Sequence, residues 1–352
     1  MASHRIAVVG GDGIGPEVTR EAMKVLHAAS EVYGFDVDAH EFPYGTDHYL
    51  ETGEKFPDRA LDEMRQHDAI YLGAIGDPRV EVGMMERAII AGIRFKLDLY
   101  VNLRPIKLYD ARLCPLKNKG PEDVDFVVIR ENTEDAYAGI GGILKKGTPH
   151  EVATQTMIYT RHAVERVIRY AFDLARERDG KKRLTLVDKA NAIRAQDIWT
   201  RTFAEVAKEY TDIETDHGYV DATCMWMLSK PEWYDVIVTP NLFGDIITDL
   251  GAAIQGGMGV AASGNIHPGR VSLFEPIHGS APKYAGKNMA SPIAAIAATG
   301  MMLTYLGEIE AGAAVDGAIE HLLTSGKVQS LKAGTHGTTE VGDWVVDLVQ
   351  AK

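Results

Sequence analysis

Short apolar runs alternate with amphipathic stretches along almost all of the 352-residue chain. Residues 5–9 form a run of the strand type, whereas residues 16–30 carry Val18, Ala22, Val25 and Leu26 at helical spacing. Further strand-type runs occupy residues 69–72, 126–129, 184–187 and 236–239. Strands that alternate with helices predict an α/β fold with a substantial parallel sheet.

Residues 139–160 depart from this alternation. A glycine-rich start, a Lys145-Lys146-Gly147 turn and the β-rich stretch VATQTMIYT predict a hairpin that projects from the body. An exposed hairpin needs a cover, and a second subunit is the simplest one.

The charge balance excludes several classes of partner. Lys and Arg total 37 against 50 Asp and Glu, which gives a net charge of −13. Such an acidic chain is not expected to bind nucleic acid or an anionic membrane, because both require a basic face. Residues 293–306 are apolar but too few to span a bilayer, so we expect a buried helix there and a cytoplasmic protein.

Two aspartates lie four residues apart at the start of an expected helix. Asp245 and Asp249 would project from one helix face, where like charges repel unless a cation neutralises them. Oxygen-only ligands suit Mg²⁺ or Mn²⁺, and Asp221 from another segment is a third candidate. The alternative is that the pair only complements the helix dipole.

Three arginines are candidates for binding an anion. Arg94 and Arg104 flank the segment IRFKLDLYVNLRP, and Arg130 ends an expected strand. Guanidinium groups grip carboxylates through two parallel hydrogen bonds, and several together suit a di- or tricarboxylate. Each arginine could instead make an ordinary surface ion pair.

The glycine-rich start resembles a nucleotide-binding loop without matching one. Glycines at 11, 13 and 15 followed by Pro16 do not give the G-x-G-x-x-G fingerprint, and the lysine of a P-loop is missing. These residues alone therefore predict only a tight strand-to-helix turn, and no Rossmann domain.

Seven motifs in order resemble the β-decarboxylating dehydrogenases, a family of isocitrate, isopropylmalate, homoisocitrate and D-malate or tartrate enzymes. They span almost the whole chain: GDGIGPE (11–17), YVNLRP (100–105), RENTEDAYAG (130–139), VDKAN (187–191), YVDATCM (219–225), NLFGDIITDLGAA (241–253) and FEPIHGSAP (274–282). The resemblance implies oxidation of a 2-hydroxy dicarboxylic acid by a nicotinamide cofactor, followed by loss of CO₂.

The resemblance also implies a fold and an assembly. We expect an open α/β sheet without Rossmann topology, a cofactor-side domain of residues 1–99 plus 255–352, and a substrate and dimerisation domain of residues 100–254. The hairpin at about 139–160 would be a dimer clasp, and the active sites of a homodimer would be shared.

Binding residues carry over from the motifs. The substrate's carboxylates would be held by Arg94, Arg104 and Arg130. The metal, Mg²⁺ or Mn²⁺, would be held by Asp245 and Asp249, with Asp221 from the partner subunit. The cofactor would contact Ile14, Glu275, His278, Gly279, Ser280, Ala281, Lys283, Tyr284 and Ser291.

Two catalytic residues carry over as well. Lys189, also supplied by the partner subunit, would help to remove the proton of the 2-hydroxyl group. Tyr137 would protonate the enolate carbon that loss of CO₂ leaves behind.

The residues before Arg94 bear on the substrate. Isocitrate enzymes of this family carry Ser and Asn where Ala88 and Ile90 stand, and homoisocitrate enzymes can carry arginine at Ala91. An unpaired third carboxylate beside Ile90 would be costly to desolvate, which favours 3-isopropylmalate. D-malate or tartrate remains an alternative, and RENTEDAYAG keeps isocitrate open.

The residues that would select the cofactor divide between NAD and NADP. Lys283-Tyr284 suits the 2′-phosphate of NADP, whereas NAD-using relatives usually carry Asp at the lysine position. The tyrosine and arginine that NADP enzymes add near the C-terminus are missing, and NAD is the prediction, with NADP as the alternative.

Two functions of another class remain. A catalytically silent regulatory subunit would lack the lysine, the tyrosine or the aspartates, and a protein that only binds anionic metabolites would need the arginines alone. Tyr137, Lys189, Asp221, Asp245 and Asp249 are all present, which favours an enzyme.

Overall fold

The computed structural model describes residues 2–178 and 180–351. Strands are numbered in chain order: β1 Ser3–Gly11, β2 Asp36–Phe42, β3 Ala69–Ala74, β4 Val101–Lys107, β5 Asp125–Glu131, β6 Gly141–Leu144, β7 Val152–Gln155, β8 Arg183–Asp188, β9 Glu214–Tyr219, β10 Val236–Thr239, β11 Ala262–Ile266 and β12 Ser272–Pro276. Helices are numbered likewise: α1 Gly15–Tyr33, α2 Thr46–Thr52, α3 Asp58–Met64, α4 Met84–Glu86, α5 Gly92–Lys96, α6 Arg161–Glu177, α7 Asp197–Val206, α8 Val220–Ser229, α9 Asn241–Ile254, α10 Ile293–Tyr305, α11 Ile309–Thr324 and α12 Thr338–Gln350.

The chain divides into two compact units. The first comprises Met1–Leu99, Lys107–Pro121 and Ala252–Lys352, and the second Tyr100–Ile106 and Glu122–Gly251. The short segment Lys107–Pro121 therefore groups with the two terminal portions of the chain.

Strands of the first unit follow the order β2-β1-β3-β12-β11. Neighbours are parallel except for β11, which runs antiparallel to β12. A Rossmann sheet begins with the order 3-2-1, so the prediction of an α/β fold without Rossmann topology is confirmed.

The first unit buries both faces of its sheet. Ile6 and Val8 of β1 pack in a core cluster with α1, α10, α11 and α12, whereas Ala7 and Val9 pack in a second cluster with α2 to α5. Alternation of side chains along a strand explains this division. Because both faces of the sheet are buried, an interior strand such as β3 is apolar along almost its whole length.

Local sequence determines where helix α1 begins and ends. Pro16 occupies its first turn with Glu17, which suits the positive end of the helix dipole. Gly34 ends the helix in the left-handed region at φ 77°, and its amide donates to Ser30 O at 2.9 Å.

Strands of the second unit follow the order β4-β5-β10-β8-β9. Strand β10 is parallel to β5 and to β8, and β8 is parallel to β9. The side chain of Phe172 on α6 is fully buried and stacks on Tyr210 with 4.6 Å between ring centroids. A separate two-stranded hairpin, β6 and β7, pairs Gly141–Leu144 with Val152–Gln155 in antiparallel fashion.

Helix α10 coincides with the apolar run that we expected to be a buried helix, and most of its residues are buried. No helix within residues 2–178 and 180–351 has both the length and the hydropathy needed to cross a bilayer.

Candidate active site

Two buried arginines of the second unit contact helix α9. Arg104 lies on β4 and donates from Nη1 to Thr248 Oγ1 at 2.6 Å. Arg130 lies on β5 and donates from Nε to Asn241 Oδ1 at 2.9 Å. Their relative exposures are 6% and 1%, so both charges depend on protein partners rather than on water.

The two aspartates on α9 share the face that meets these arginines. Arg130 Nη1 lies 2.5 Å from Asp245 Oδ1, and Arg104 lies 3.8 Å from Asp245 Oδ1 and 4.0 Å from Asp249 Oδ1. Burial raises the pKa of Asp249; Arg104 opposes that shift and Asp245 adds to it. Asp245 and Asp249, held close together in this way, are suited to bind a metal cation in addition to their contacts with the arginines.

Tyr137 joins the same cluster. It lies in a short 3-10 turn, Asp135–Ala138, and its hydroxyl donates to Asp245 Oδ2 at 2.6 Å. The Arg130 guanidinium carbon lies 5.2 Å from the centre of the Tyr137 ring. The second unit thus brings Arg104, Arg130, Tyr137, Asp245 and Asp249 together.

The turn that carries Tyr137 is anchored by a buried carboxylate that the sequence analysis missed. Asp135 adopts a left-handed φ of 69°, accepts from the Leu242 amide at 2.9 Å and accepts from the Tyr159 hydroxyl at 2.8 Å. It therefore ties the tyrosine turn to the first turn of α9. Asp135 lies within the motif RENTEDAYAG, so the sequence marked its segment as important. The motif alone did not indicate that Asp135 anchors the turn.

Lys189 and Asp221 form a separate ion pair in the second unit. Lys189 follows β8, and its amide donates to Gln196 Oε1 at 2.7 Å; Asp221 lies in the first turn of α8. The hydrogen bond from Lys189 lowers the pKa of Asp221. Across the described ranges, no three His, Cys, Asp or Glu side chains are arranged to hold a metal, so Asp221 does not join Asp245 and Asp249 within one chain.

Arg94 lies in the first unit, where it contacts a residue that we expected to bind the cofactor. Its Nη2 donates to Glu275 Oε1 at 3.0 Å, and the same oxygen accepts from Asn265 Nδ2 at 2.7 Å. Ile90 lies in the π-helical turn Arg87–Ala91 that connects α4 with α5 and is partly buried. π-Helical turns are rare in proteins as a whole, but those that occur are often found at functional sites.

The glycine-rich loop after β1 lies against the segment after β12. The Ile14 amide donates to Ser280 O at 2.8 Å. A side chain at position 13 would place its Cβ 2.0 Å from Ser280 O, so only glycine allows this approach. Asp12, which we did not single out, accepts from the amides of Thr46 and Gly76 at 2.6 and 2.8 Å and holds the loop in place.

The remaining residues expected to bind the cofactor follow β12 in the chain. Burial lowers the pKa of His278, and its Nε2 has no hydrogen-bond partner in the described part of the chain. A buried, unpaired ring nitrogen fits a position that contacts a ligand. Ala281 is left-handed at φ 39°, Lys283 Nζ lies 4.7 Å from the centre of the Tyr284 ring, and Ser291 Oγ accepts from the Ile293 amide at 3.4 Å.

Comparisons with known proteins identify relatives over nearly the whole chain. The chain is 48% identical to a 3-isopropylmalate dehydrogenase of Thermobifida fusca, over 98% of its own length and 97% of that protein. It is 47% identical to a 3-isopropylmalate dehydrogenase of Corynebacterium glutamicum, over 99% of its length and 100% of that protein.

Solved structures show the same fold. A crystal structure of isocitrate dehydrogenase from Methylococcus capsulatus matches with a TM-score of 0.88 and 36% identity, covering 99% of each chain. A β-decarboxylating dehydrogenase from Thermococcus kodakarensis matches with a TM-score of 0.80 and 33% identity, covering 99% of this chain and 96% of that one.

A family profile agrees with both sets of relatives. The profile described as isocitrate/isopropylmalate dehydrogenase matches residues 5–345. The resemblance drawn from seven motifs and the prediction of a decarboxylating dehydrogenase are thereby confirmed. The chain belongs to the isocitrate/isopropylmalate dehydrogenase family.

Proposed function

We propose that this protein oxidises and decarboxylates 3-isopropylmalate with NAD and a divalent cation, Mg²⁺ or Mn²⁺. The observation that carries the proposal is the cluster of Arg104, Arg130, Tyr137, Asp245 and Asp249 in one unit, where guanidinium, phenol and carboxylate groups converge. The names of the relatives favour this substrate.

The arginines orient the substrate. Arg104 and Arg130 are buried and already directed at carboxylate oxygens of α9, and they exchange part of that contact for the carboxylates of the substrate. Arg94 remains a prediction as a third guanidinium group for the substrate's carboxylates. Planar two-pronged hydrogen bonds fix the acid so that the C2 hydroxyl and the C3 carboxylate are defined relative to the protein.

Asp245 and Asp249 would hold the metal, because carboxylates offer the oxygen ligands that Mg²⁺ and Mn²⁺ prefer. A bound cation would polarise the substrate's 2-oxygen, and a bound nicotinamide would supply the hydride acceptor for C2. Lys189 takes the proton of the 2-hydroxyl group, directly or through Asp221. The pair that these two residues form keeps the lysine amine in place.

Tyr137 completes the reaction. The bond between C3 and its carboxylate breaks, CO₂ leaves, and the electron pair remains on the enolate. The Tyr137 hydroxyl delivers a proton to C3, and its hydrogen bond to Asp245 directs that hydroxyl before the substrate arrives.

The proposal requires a homodimer. Asp221 pairs with Lys189 instead of approaching the α9 aspartates, so a second subunit supplies both residues to the metal site. Apolar side chains exposed on the second unit support this assembly: Ile143, Leu144, Val152, Met225, Leu228 and Ile246. Isologous contacts between identical copies bury such patches in pairs, and the β6–β7 hairpin acts as the clasp.

Ile90 accommodates the isopropyl group. Apolar Ile90 lies beside small Ala88 and Ala91 in the π-helical turn, and none of the three can pair with a third carboxylate.

NAD remains the proposed cofactor although Lys283 and Tyr284 also suit the phosphate of NADP. The cytoplasmic location stays a prediction.

A substrate panel tests the proposal. Purified protein with Mg²⁺ or Mn²⁺ is assayed for reduction of NAD and of NADP with 3-isopropylmalate, D-malate, tartrate, isocitrate and homoisocitrate. We expect the highest kcat/KM for 3-isopropylmalate with NAD. A higher kcat/KM for isocitrate than for 3-isopropylmalate would make isocitrate the substrate, and one structural relative is named as an isocitrate dehydrogenase. No reduction of NAD or NADP with any of these acids would overturn the proposal.

A further inference from the structure

A cavity of about 430 Å³ lies in the second unit, between helix α8 and strands β8 and β9. None of the proposed catalytic or metal-binding residues lines it. Its volume falls in the range of small-molecule pockets, roughly 300–1,000 Å³. The cavity is therefore large enough for a ligand with two fused rings.

A buried hydroxyl group lines this cavity without a partner. Thr185 lies on β8, an interior strand that pairs with β10 on one side and β9 on the other. Its relative exposure is 1%, and its Oγ1 makes no hydrogen bond to any described residue. An unpaired hydroxyl in a protein interior costs free energy, and a polar ligand in the cavity would recover it.

Aromatic side chains form the walls. Trp226 of α8 and Trp233 line the cavity together with Tyr219 and Tyr234. Trp233 is held in place because its Nε1 donates to Asp216 Oδ2 at 3.0 Å and its ring packs on Arg183, whose guanidinium carbon lies 4.1 Å from the ring centre. A fixed indole ring favours a planar aromatic ligand.

Lys230 is the cation that an anionic ligand would meet at the cavity. Lys230 lies 5.1 Å from the centre of the Trp226 ring and forms no ion pair with a described residue. His217 also lines the cavity and contacts Asp188 Oδ1 at 3.1 Å. The lining carboxylate, Asp216, accepts from the His217 amide and from Trp233 Nε1, so each of its oxygens has a donor from the protein.

The cavity lies on a different face of α8 from Leu228, one of the exposed apolar residues proposed to meet a second subunit. Ala222 and Trp226 of α8 line the cavity, and so does Lys230, which follows the last residue of the helix. Successive residues of a helix are separated by about 100°, so Leu228 points about 160° away from Trp226. Dimer formation through Leu228 leaves the Trp226 face of α8 uncovered.

We propose that this cavity is a binding site for a planar aromatic carboxylate, with the ring between the tryptophans, the carboxylate on Lys230 and a hydrogen bond to Thr185. The site is separate from the proposed active site, and the inference does not rest on the proposed function.

Calorimetric titration of the full-length protein with 2-naphthoate tests the inference, in the absence of substrate, cofactor and metal. We expect saturable binding at one site per chain. Lys230→Gln is expected to weaken binding roughly tenfold or more, because a charge-assisted hydrogen bond is lost. Thr185→Val keeps the shape of the side chain and is expected to weaken binding several-fold. Neutral 2-naphthamide is expected to bind more weakly than the acid.

Lys327→Gln is the matched control. Lys327 lies 4.2 Å from the centre of the Trp344 ring, beside a groove of about 440 Å³ in the first unit that has no comparable buried unpaired hydroxyl in the described residues lining it. This variant is expected to bind 2-naphthoate like the parent protein. Absence of saturable binding overturns the inference. Equal binding by the parent, Lys230→Gln and Thr185→Val proteins, with unchanged circular dichroism, overturns it as well.

Discussion

The hydroxyl of Tyr137 donates a hydrogen bond to Asp245 Oδ2 at 2.6 Å, while Asp245 Oδ1 is 2.5 Å from Arg130 Nη1. One carboxylate thus links the group proposed to deliver a proton with the group proposed to hold a substrate carboxylate. Because Asp245 is also a proposed metal ligand, substrate binding, metal binding and proton delivery meet at a single side chain.

Tyr137→Phe is expected to lower kcat for NADH formation by roughly 10²–10⁴-fold, because C3 loses its proton donor. KM for the acid is expected to change much less, since the arginines remain. Tyr109→Phe is the matched control: its hydroxyl also donates to an aspartate, Asp316 Oδ1 at 2.7 Å, but in the first unit. Steady-state kinetics of both variants give the comparison, and a Tyr137→Phe enzyme within twofold of the parent would contradict the assigned role.

Much of this cluster could be predicted from sequence because the motifs keep their residues adjacent in the chain. The spacing of Asp245 and Asp249 predicts one helix face, and both lie on the face of α9 that meets Arg104. The helix begins at Asn241, so Asp249 lies two turns from its start, where the effect of the helix dipole is weak.

Other features depend on tertiary contacts that periodicity does not reveal. The π-helical turn that carries Ile90 has the same apolar pattern as an α-helix, so its wider turn could not be predicted. The anchoring roles of Asp12 and Asp135 arise from amides that are distant in the chain, at Thr46 and Leu242. The sequence also showed no sign of the cavity beside α8, since Thr185 is distant in the chain from residues 216–234, which supply the rest of the lining.

Met225→Asp is expected to convert the protein to a monomer in solution. The Met225 side chain is 64% exposed, and a charge placed there would have to be desolvated in a subunit interface. Ile309→Asp, at an apolar residue of the first unit with 57% exposure, is expected to leave the oligomeric state unchanged. Light scattering coupled to size-exclusion chromatography distinguishes these outcomes. A Met225→Asp protein with the mass of the parent would argue against an interface at α8.

His217 is expected to stabilise the protein in a pH-dependent manner. Its hydrogen bond to the fully buried Asp188 raises its pKa above 6.5. The stabilisation is therefore fully present below pH 6.5 and is lost as the pH rises through the raised pKa. His217→Gln is expected to lower Tm by roughly 1–2 °C near pH 6, because the ring is partly exposed, and by less near pH 9.

Thermal melts of parent and variant across this pH range measure the effect, with His150→Gln as a control at an exposed histidine of the hairpin loop. A difference in Tm between parent and His217→Gln proteins that grows as the pH rises would contradict the proposed stabilisation by His217.

We expect each active site to combine the arginines and aspartates of one subunit with Lys189 and Asp221 of another. Lys189→Met and Asp245→Asn chains, each inactive as a homodimer, can be co-expressed with different affinity tags and the doubly tagged heterodimer purified. One of its two sites then contains only intact residues. A heterodimer of Lys189→Met with Asp221→Asn is the matched control, because both of its sites retain a defect.

The decisive measurement is the specific activity of these two heterodimers. We expect about half of the parent activity for the first heterodimer, because one of its two symmetry-related sites is restored, and no activity for the control. Activity of the first heterodimer no greater than that of either inactive homodimer would contradict the sharing of sites between subunits.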